Sequence, residues 1–333
     1  MNSLSFWGHN LVTTFLLMFI YFFSCLALIS SSKSFWIFWV SLELMNFFFI
    51  PWLSYGEKLN MKVKVFNYFV IQGISSGLFL IGISLMEMGS VFFTLLIISM
   101  LIKLGAFPFH SWMLKVSEMM GFEKFTSMMT WVKLAPLSGL SFLPIPLPYM
   151  TFFTLGVFAS WGGYMVNSIR ILVVYSSVAH SSWLLLSLYL SKVCVCVYLM
   201  SYWLLLYGLS EYVKVKSVNK LTDLLVVSSK DFFIYSILFG MMALPPFLGF
   251  SPKILILSLM NESSLVMEMI LILSGSLVPL YFYLKTVYFF FLSLSMKSAN
   301  SSTSWICYSY SPWPILIFSL LTTLSLLLLW LIL

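Results

Sequence analysis

The sequence predicts an all-α integral membrane protein, a polytopic bundle of about eleven transmembrane helices. Three observations carry that expectation. Of 333 residues, 61% are hydrophobic and only 8% are charged, against about 25% charged in soluble domains. The apolar residues come in runs of about twenty, the length that crosses a bilayer as helix, and not in the ten-residue alternation of a β-barrel strand. The basic residues also fall almost entirely on one side of the resulting spans.

In chain order, spans are expected at about 11–30, 34–54, 66–86, 89–110, 125–144, 149–167, 171–190, 194–210, 232–258, 265–292 and 313–333. Each is an apolar run bounded by charged or turn-forming residues. The connections are too short for a soluble domain, so 1–333 is expected to be a single polytopic membrane domain. If the spans alternate sides, the connections after the second, fourth, sixth, eighth and tenth lie together. They hold eleven basic residues, from Lys58 to Lys297, while the opposite side holds only Lys33 and Lys192. This is the asymmetry of a positive inner face. It places the N-terminus on that face, matrix or cytoplasmic, and the C-terminus opposite. The longest connection, Glu211 to Asp231, fits an amphipathic helix on the membrane surface and a solvated charged loop equally well.

Two stretches break the apolar pattern. SMLIKLGAFPFHSW and TWVKLAPLSG place Lys103 and Lys133 inside apolar runs, with Pro108 and Pro136 close behind. A lysine at mid-membrane costs about 2.5–3.5 kcal/mol on insertion scales. Proline there frees carbonyls that lipid cannot satisfy. The ninth span, FGMMALPPFLGFSPKILILSLM, carries Pro245, Pro246, Gly249 and Pro252 ahead of Lys253. No continuous helix passes through it without losing hydrogen bonds. Two half-helices joined by an unwound segment are expected, with Lys253 at the break. Such breaks are tolerated where they line a polar cavity, and in transporters they mark the ion site.

Glu43, about nine residues into the second span, completes the set. A carboxylate at that depth is neutral or paired with a lysine from another helix. The economical arrangement is one central row: Glu43 against Lys103, then Lys133, then Lys253. Burial favours a neutral amine and a nearby carboxylate favours an ammonium. A lysine held between these effects changes protonation when its partner moves, which is what a proton relay requires. For each lysine the competing reading is a side chain that snorkels to the interface. That reading is preferred for Lys285. Glu87, Glu262 and Glu268 read as boundary or loop charges. His110 and His180 are candidates to bridge the row or to hold water. A structural hydrogen bond accounts for either one at least as well.

Redox and hydrolytic chemistry find no residues here. The four cysteines are scattered in or beside apolar runs, no histidine pair suits haem, and no phosphate loop or nucleophile motif occurs. The first ten residues lack the Arg-rich pattern of a transit peptide, so direct insertion by the spans themselves is expected. Arg170 is the single arginine, while Met reaches 21 and Phe 33. That skew is what an organelle genome with few arginine codons would produce.

The stretches WVSLELMNFFFIP (39–51), NYFVIQGISSG (67–77), KLGAFPFHSW (103–112), TWVKLAPLS (130–138), SWGGYMVNSIRILVVYSSVAH (160–180) and MALPPFLGFSPK (242–253) together resemble NADH dehydrogenase subunit 2 of mitochondrial respiratory complex I. They occur in the family's order over about 35–290. That family is related to Mrp-type cation/proton antiporters. The resemblance implies antiporter-like inverted repeats of five helices, each with a broken helix, with three N-terminal helices of the general family absent. It implies that Glu43 is the family's glutamate, Lys103 its partner lysine, Lys133 the central lysine and Lys253 the lysine of the second broken helix. The linker around Gly162, Gly163, Asn167 and Arg170 departs from the family's more polar one.

The function implied is that of a core membrane-arm subunit of NADH:ubiquinone oxidoreductase, with the proton-translocating core at about 34–292 and a final span at about 313–333. It would bind no cofactor or metal itself, with NADH, FMN, iron–sulfur clusters and ubiquinone held by partner subunits. Other membrane-arm and accessory subunits and lipids, cardiolipin among them, are the expected partners, and nucleic acid is not. The mitochondrial inner membrane is the expected location. Two rivals are a free-standing cation/proton antiporter subunit and a purely structural spacer of the arm.

Overall fold

The computed structural model describes residues 34–55, 59–86, 91–118, 120–143, 156–216, 232–245, 247–263 and 265–300. The expected first and last spans and residues 217–231 lie outside them. Among the described residues the chain is all-helical, with ten α-helices, one 3-10 helix and no strand. Five helices are long and apolar enough to cross a membrane: Phe35–Ser54, Met61–Ser84, Ile169–Leu190, Lys192–Lys214 and Val266–Tyr288. The chain divides into two compact units, Met1–Ile145 and Pro146–Leu333.

The first unit contains α1 (Phe35–Ser54), α2 (Leu59–Ser84), α3 (Val91–Leu104), α4 (Ser111–Ser117) and α5 (Phe122–Leu140). The Ser34 side chain caps α1 by accepting from the Ile37 amide. Phe38, Leu42, Met45, Phe49 and Leu53 repeat at helical spacing and are buried, while Trp36, Val40, Leu44 and Phe47 on the other faces are equally apolar and exposed. A helix apolar all round belongs in a core or a membrane. In packing, α2 lies against α1, α3 and α4, and α5 lies against α3 and α1.

The second unit contains the 3-10 helix Gly156–Met165, then α6 (Ile169–Leu190), α7 (Lys192–Lys216), α8 (Phe232–Met242), α9 (Ser251–Glu262) and α10 (Val266–Asn300). Tyr175 packs so closely on Gly162 that a Cβ there would meet its ring, which seats the 3-10 helix on α6. In the Glu211–Asp231 connection, Glu211 to Lys216 continue α7 as helix, and its remainder lies outside the described residues.

Both units run through the same order of elements. Two long helices are followed by a helix split in two and then by a further helix: α1, α2, α3/α4, α5 and α6, α7, α8/α9, α10. The two splits share one backbone motif. At the end of α3, Gly105 takes φ +64°, its amide donates to Ile102 O (3.1 Å) and the Ala106 amide donates to Leu101 O (3.1 Å). At the end of α8, Ala243 takes φ 57°, its amide donates to Gly240 O (3.0 Å) and the Leu244 amide donates to Phe239 O (3.3 Å). This is the Schellman pattern, which satisfies the last carbonyls of a helix that stops abruptly. The ninth span is therefore broken as its prolines require, and Lys253 lies in the first turn of α9. The fourth span also breaks. Residues 111–117, expected to be connection, form the second half-helix α4.

Candidate functional site

In the first unit the break in α3/α4 places Lys103 in the last turn of α3, where the helix dipole favours a cation. Its side chain is 4% exposed. The Glu43 carboxylate reaches it from α1, with Oε1 3.6 Å from Nζ and the Glu43 side chain 21% exposed. The pair that the sequence leads one to expect is formed, at a distance longer than a tight charge-assisted hydrogen bond.

Aromatic and amide side chains frame this pair. Tyr68, fully buried on α2, donates to Asn46 Oδ1 on α1 at 3.4 Å, and its ring lies 5.5 Å from that of Trp112 on α4. Trp112 Nε1 donates to the carbonyl of Ile102 at 3.1 Å, the residue before Lys103. Four helices are thus tied around the ion pair. The sequence shows Lys103 as an anomaly in an apolar run. Tyr68 and Trp112 leave no such mark in a chain that is 19% aromatic.

Lys133 sits on α5, 2% exposed, three residues before Pro136. Proline has no amide to give to the carbonyl four residues back, so the carbonyl of Val132, beside Lys133, has no α-helical partner. His110 lies in the break itself, immediately before α4, and is neither fully buried nor fully exposed.

In the second unit the polar groups gather on α6. Ser176, Ser177, Ser181 and Ser187 are buried, and each donates to the carbonyl three residues before it at 2.6–2.8 Å. This back-bonding is how a serine-rich helix settles in an apolar core. His180 is 6% exposed. Its Nδ1 lies 2.7 Å from the Tyr198 hydroxyl, and its ring is 4.7 Å from that of Tyr202. Tyr283 on α10 donates to Ser176 Oγ at 2.8 Å. Lys253 Nζ lies 5.2 Å from the centre of the Trp183 ring. Lys285 is turned to the 3-10 helix, donating to Tyr164 O at 3.4 Å and lying 5.6 Å from the Tyr164 ring.

The structure thus joins Glu43 to Lys103 directly and buries Lys133 in the same unit. It gives His180 a tyrosine partner and Lys253 an aromatic one. Each unit holds groups suited to charge movement: two buried amines and a carboxylate in the first, and in the second an amine beside a helix break and a histidine whose hydroxyl partner both donates and accepts.

No family model matches the chain. Curated proteins named NADH-ubiquinone oxidoreductase chain 2 do. That of Rhipicephalus sanguineus is 34% identical over 287 residues, 82% of this chain and 90% of its own length. That of Mytilus edulis is 34% identical over 270 residues, 78% of this chain and 80% of its own. That of Myxine glutinosa is 28% identical over 323 residues, 90% of each. Among solved structures, a chain of respiratory complex I from Thermus thermophilus superposes with a TM-score of 0.76 at 20% identity, covering 95% of this chain and 78% of that one. A chain of the Mrp complex from Dietzia sp. DQ12-45-1b gives 0.69 at 13% identity, over 81% and 59%. The all-helical fold is thus shared with a chain of each assembly.

Proposed function

The chain belongs to the NADH-ubiquinone oxidoreductase chain 2 family, and from that premise we propose that it is a membrane-arm subunit of this oxidoreductase that takes part in proton translocation. Its path is Glu43, Lys103, Lys133 and Lys253, with His180 and His110 as accessory groups. It is a non-redox subunit: NADH, FMN, iron–sulfur clusters and ubiquinone belong to partner subunits. It works in the mitochondrial inner membrane with its N-terminus on the matrix side, among other membrane-arm subunits and lipids such as cardiolipin.

The observation that carries the reading is the Glu43–Lys103 pair at 3.6 Å beside a helix break. Two charges taken out of water are held only by each other and by whatever dipoles surround them. When Glu43 moves away, Lys103 is left as a lone buried cation, and passing its proton toward a neutral Lys133 amine, the next group of the path, relieves that cost. When Glu43 returns, the ammonium is again the favoured form. Lys103→Met tests this in the assembled complex, with NADH-driven quinone reduction and proton pumping read separately. Loss of pumping in an assembled complex supports the path. Normal pumping at normal turnover favours the structural spacer. Na⁺ or K⁺ movement without NADH or quinone would favour the free-standing antiporter.

A further inference from the structure

The two units hold the lysine of their broken helix by different chemistry. Lys103 closes α3, at the negative end of the helix dipole, and faces Glu43 on α1. Lys253 opens α9, at the positive end, where a cation gains nothing from the dipole. In the repeated order of elements, the place of α1 is taken by α6. Residues 169–190 of α6 include no Asp or Glu. What α6 turns toward Lys253 is Trp183, 2% exposed, with its ring centre 5.2 Å from Nζ. Among the described residues no carboxylate lies within ion-pair distance of Lys253.

We propose that Trp183 is the positioning residue for Lys253: the face of its buried indole holds the ammonium at the start of α9, in the place where the first unit uses Glu43. The proposal rests on the reading that Lys253 lies in the proton path. An indole face within about 6 Å attracts a cation through the ring quadrupole. It brings no second charge into the membrane, so it adds no ion to be desolvated. It also leaves no orphaned carboxylate when the lysine moves off. The hold is therefore weaker than that of Glu43 and easier to leave. Trp183 follows His180 by three residues and shares its face of α6. That histidine is fixed by the Tyr198 hydroxyl at 2.7 Å, so the element presenting the indole is itself anchored to α7.

The test uses the assembled complex in proteoliposomes, with protons pumped per NADH oxidised as the readout. Trp183→Phe and Trp183→Tyr lose volume but keep an aromatic face. Trp183→Leu and Trp183→Met lose both. The first two are expected to stay within about twofold of the parent, and the last two to fall about three- to tenfold. Equal loss in all four, or loss in none, overturns the proposal in favour of simple packing. A second measurement is a double-mutant cycle on the thermal midpoint of the assembled complex, with Trp183→Leu and Lys253→Met. The Trp183 change is expected to lower the midpoint more when Lys253 is present than when it is replaced, and strict additivity overturns the proposal. Normal pumping by Lys253→Met sinks the underlying proton-path reading. Lost pumping in Lys253→Met beside normal pumping in every Trp183 variant sinks the positioning role alone.

Discussion

Glu43 on α1 and Lys103 on α3 meet at 3.6 Å, and the lysine is the more deeply buried partner. Removing the carboxylate therefore strands a cation with little access to water. Glu43→Gln keeps the shape and is expected to cost about 3 kcal/mol, the low end for breaking a buried pair, because Glu43 is itself partly exposed. Pumping is expected to fall about a hundredfold at that cost, and Glu43→Asp to retain part of it. Proton uptake by proteoliposomes at matched complex content checks both.

Trp112 supports Lys103 from the far side of the break by donating to Ile102 O. Trp112→Phe keeps the ring against Tyr68 and abandons that carbonyl. The expected cost is about 1 kcal/mol, seen as a lower thermal midpoint of the assembled complex. Coupled turnover is expected to fall further than uncoupled turnover, because the displaced group is the backbone next to Lys103.

The break in α8/α9 is set by a close backbone approach. A Cβ on Gly249 would run into the Gly240 carbonyl oxygen. Gly249→Ala is expected to destabilise by about 1–3 kcal/mol, as overpacking does, and to reduce the amount of assembled complex. Ala243, at φ 57°, has the opposite expectation. A left-handed residue with a Cβ costs about 1–2 kcal/mol, so Ala243→Gly is expected to be neutral or mildly stabilising despite the added chain entropy. Quantifying both assembled complexes side by side checks the pair.

Two lysines at the edge of the first unit look alike in sequence and differ in structure. Lys64 pairs with Glu118 at 2.7 Å, the two side chains 21% and 47% exposed. Such a pair contributes about 0–1 kcal/mol, and Lys64→Met is expected to change little. Lys124 donates to Leu53 O at 3.1 Å and to Tyr55 O at 2.5 Å, closing the C-terminus of the helix that carries Glu43. Lys124→Met is expected to cost about 1–2 kcal/mol through those unpaired carbonyls. Thermal unfolding of the two variants distinguishes the roles.

How far the sequence could be read follows from what each residue contrasts with. Glu43, Lys103, Lys133 and Lys253 stand out because a charge inside an apolar run has few explanations. Pro245, Gly249 and Pro252 announce the second break for the same reason. The first break carries weaker signals, Gly105 and Pro108, and its second half-helix spans only seven residues and carries Lys115, so it passes for connection. The continuation of α7 through Lys216 was equally hidden, since Glu211 and Lys214, paired at 2.9 Å, look like the start of a loop. Tyr68, Trp112, Trp183 and Tyr198 were illegible because an aromatic residue in this composition is the ordinary case. Only the fold shows which of them meets a charge, a histidine or a freed carbonyl.

In the proposed path protons cross by way of Glu43, Lys103, Lys133 and Lys253. It is tested most directly at Lys133, which is 2% exposed on α5, by measuring proton pumping and NADH-driven quinone reduction separately in an assembled Lys133→Ala complex. Pumping and coupled turnover are both expected to be lost. Normal pumping at normal turnover would contradict that path and leave the lysine row a structural feature of the membrane arm.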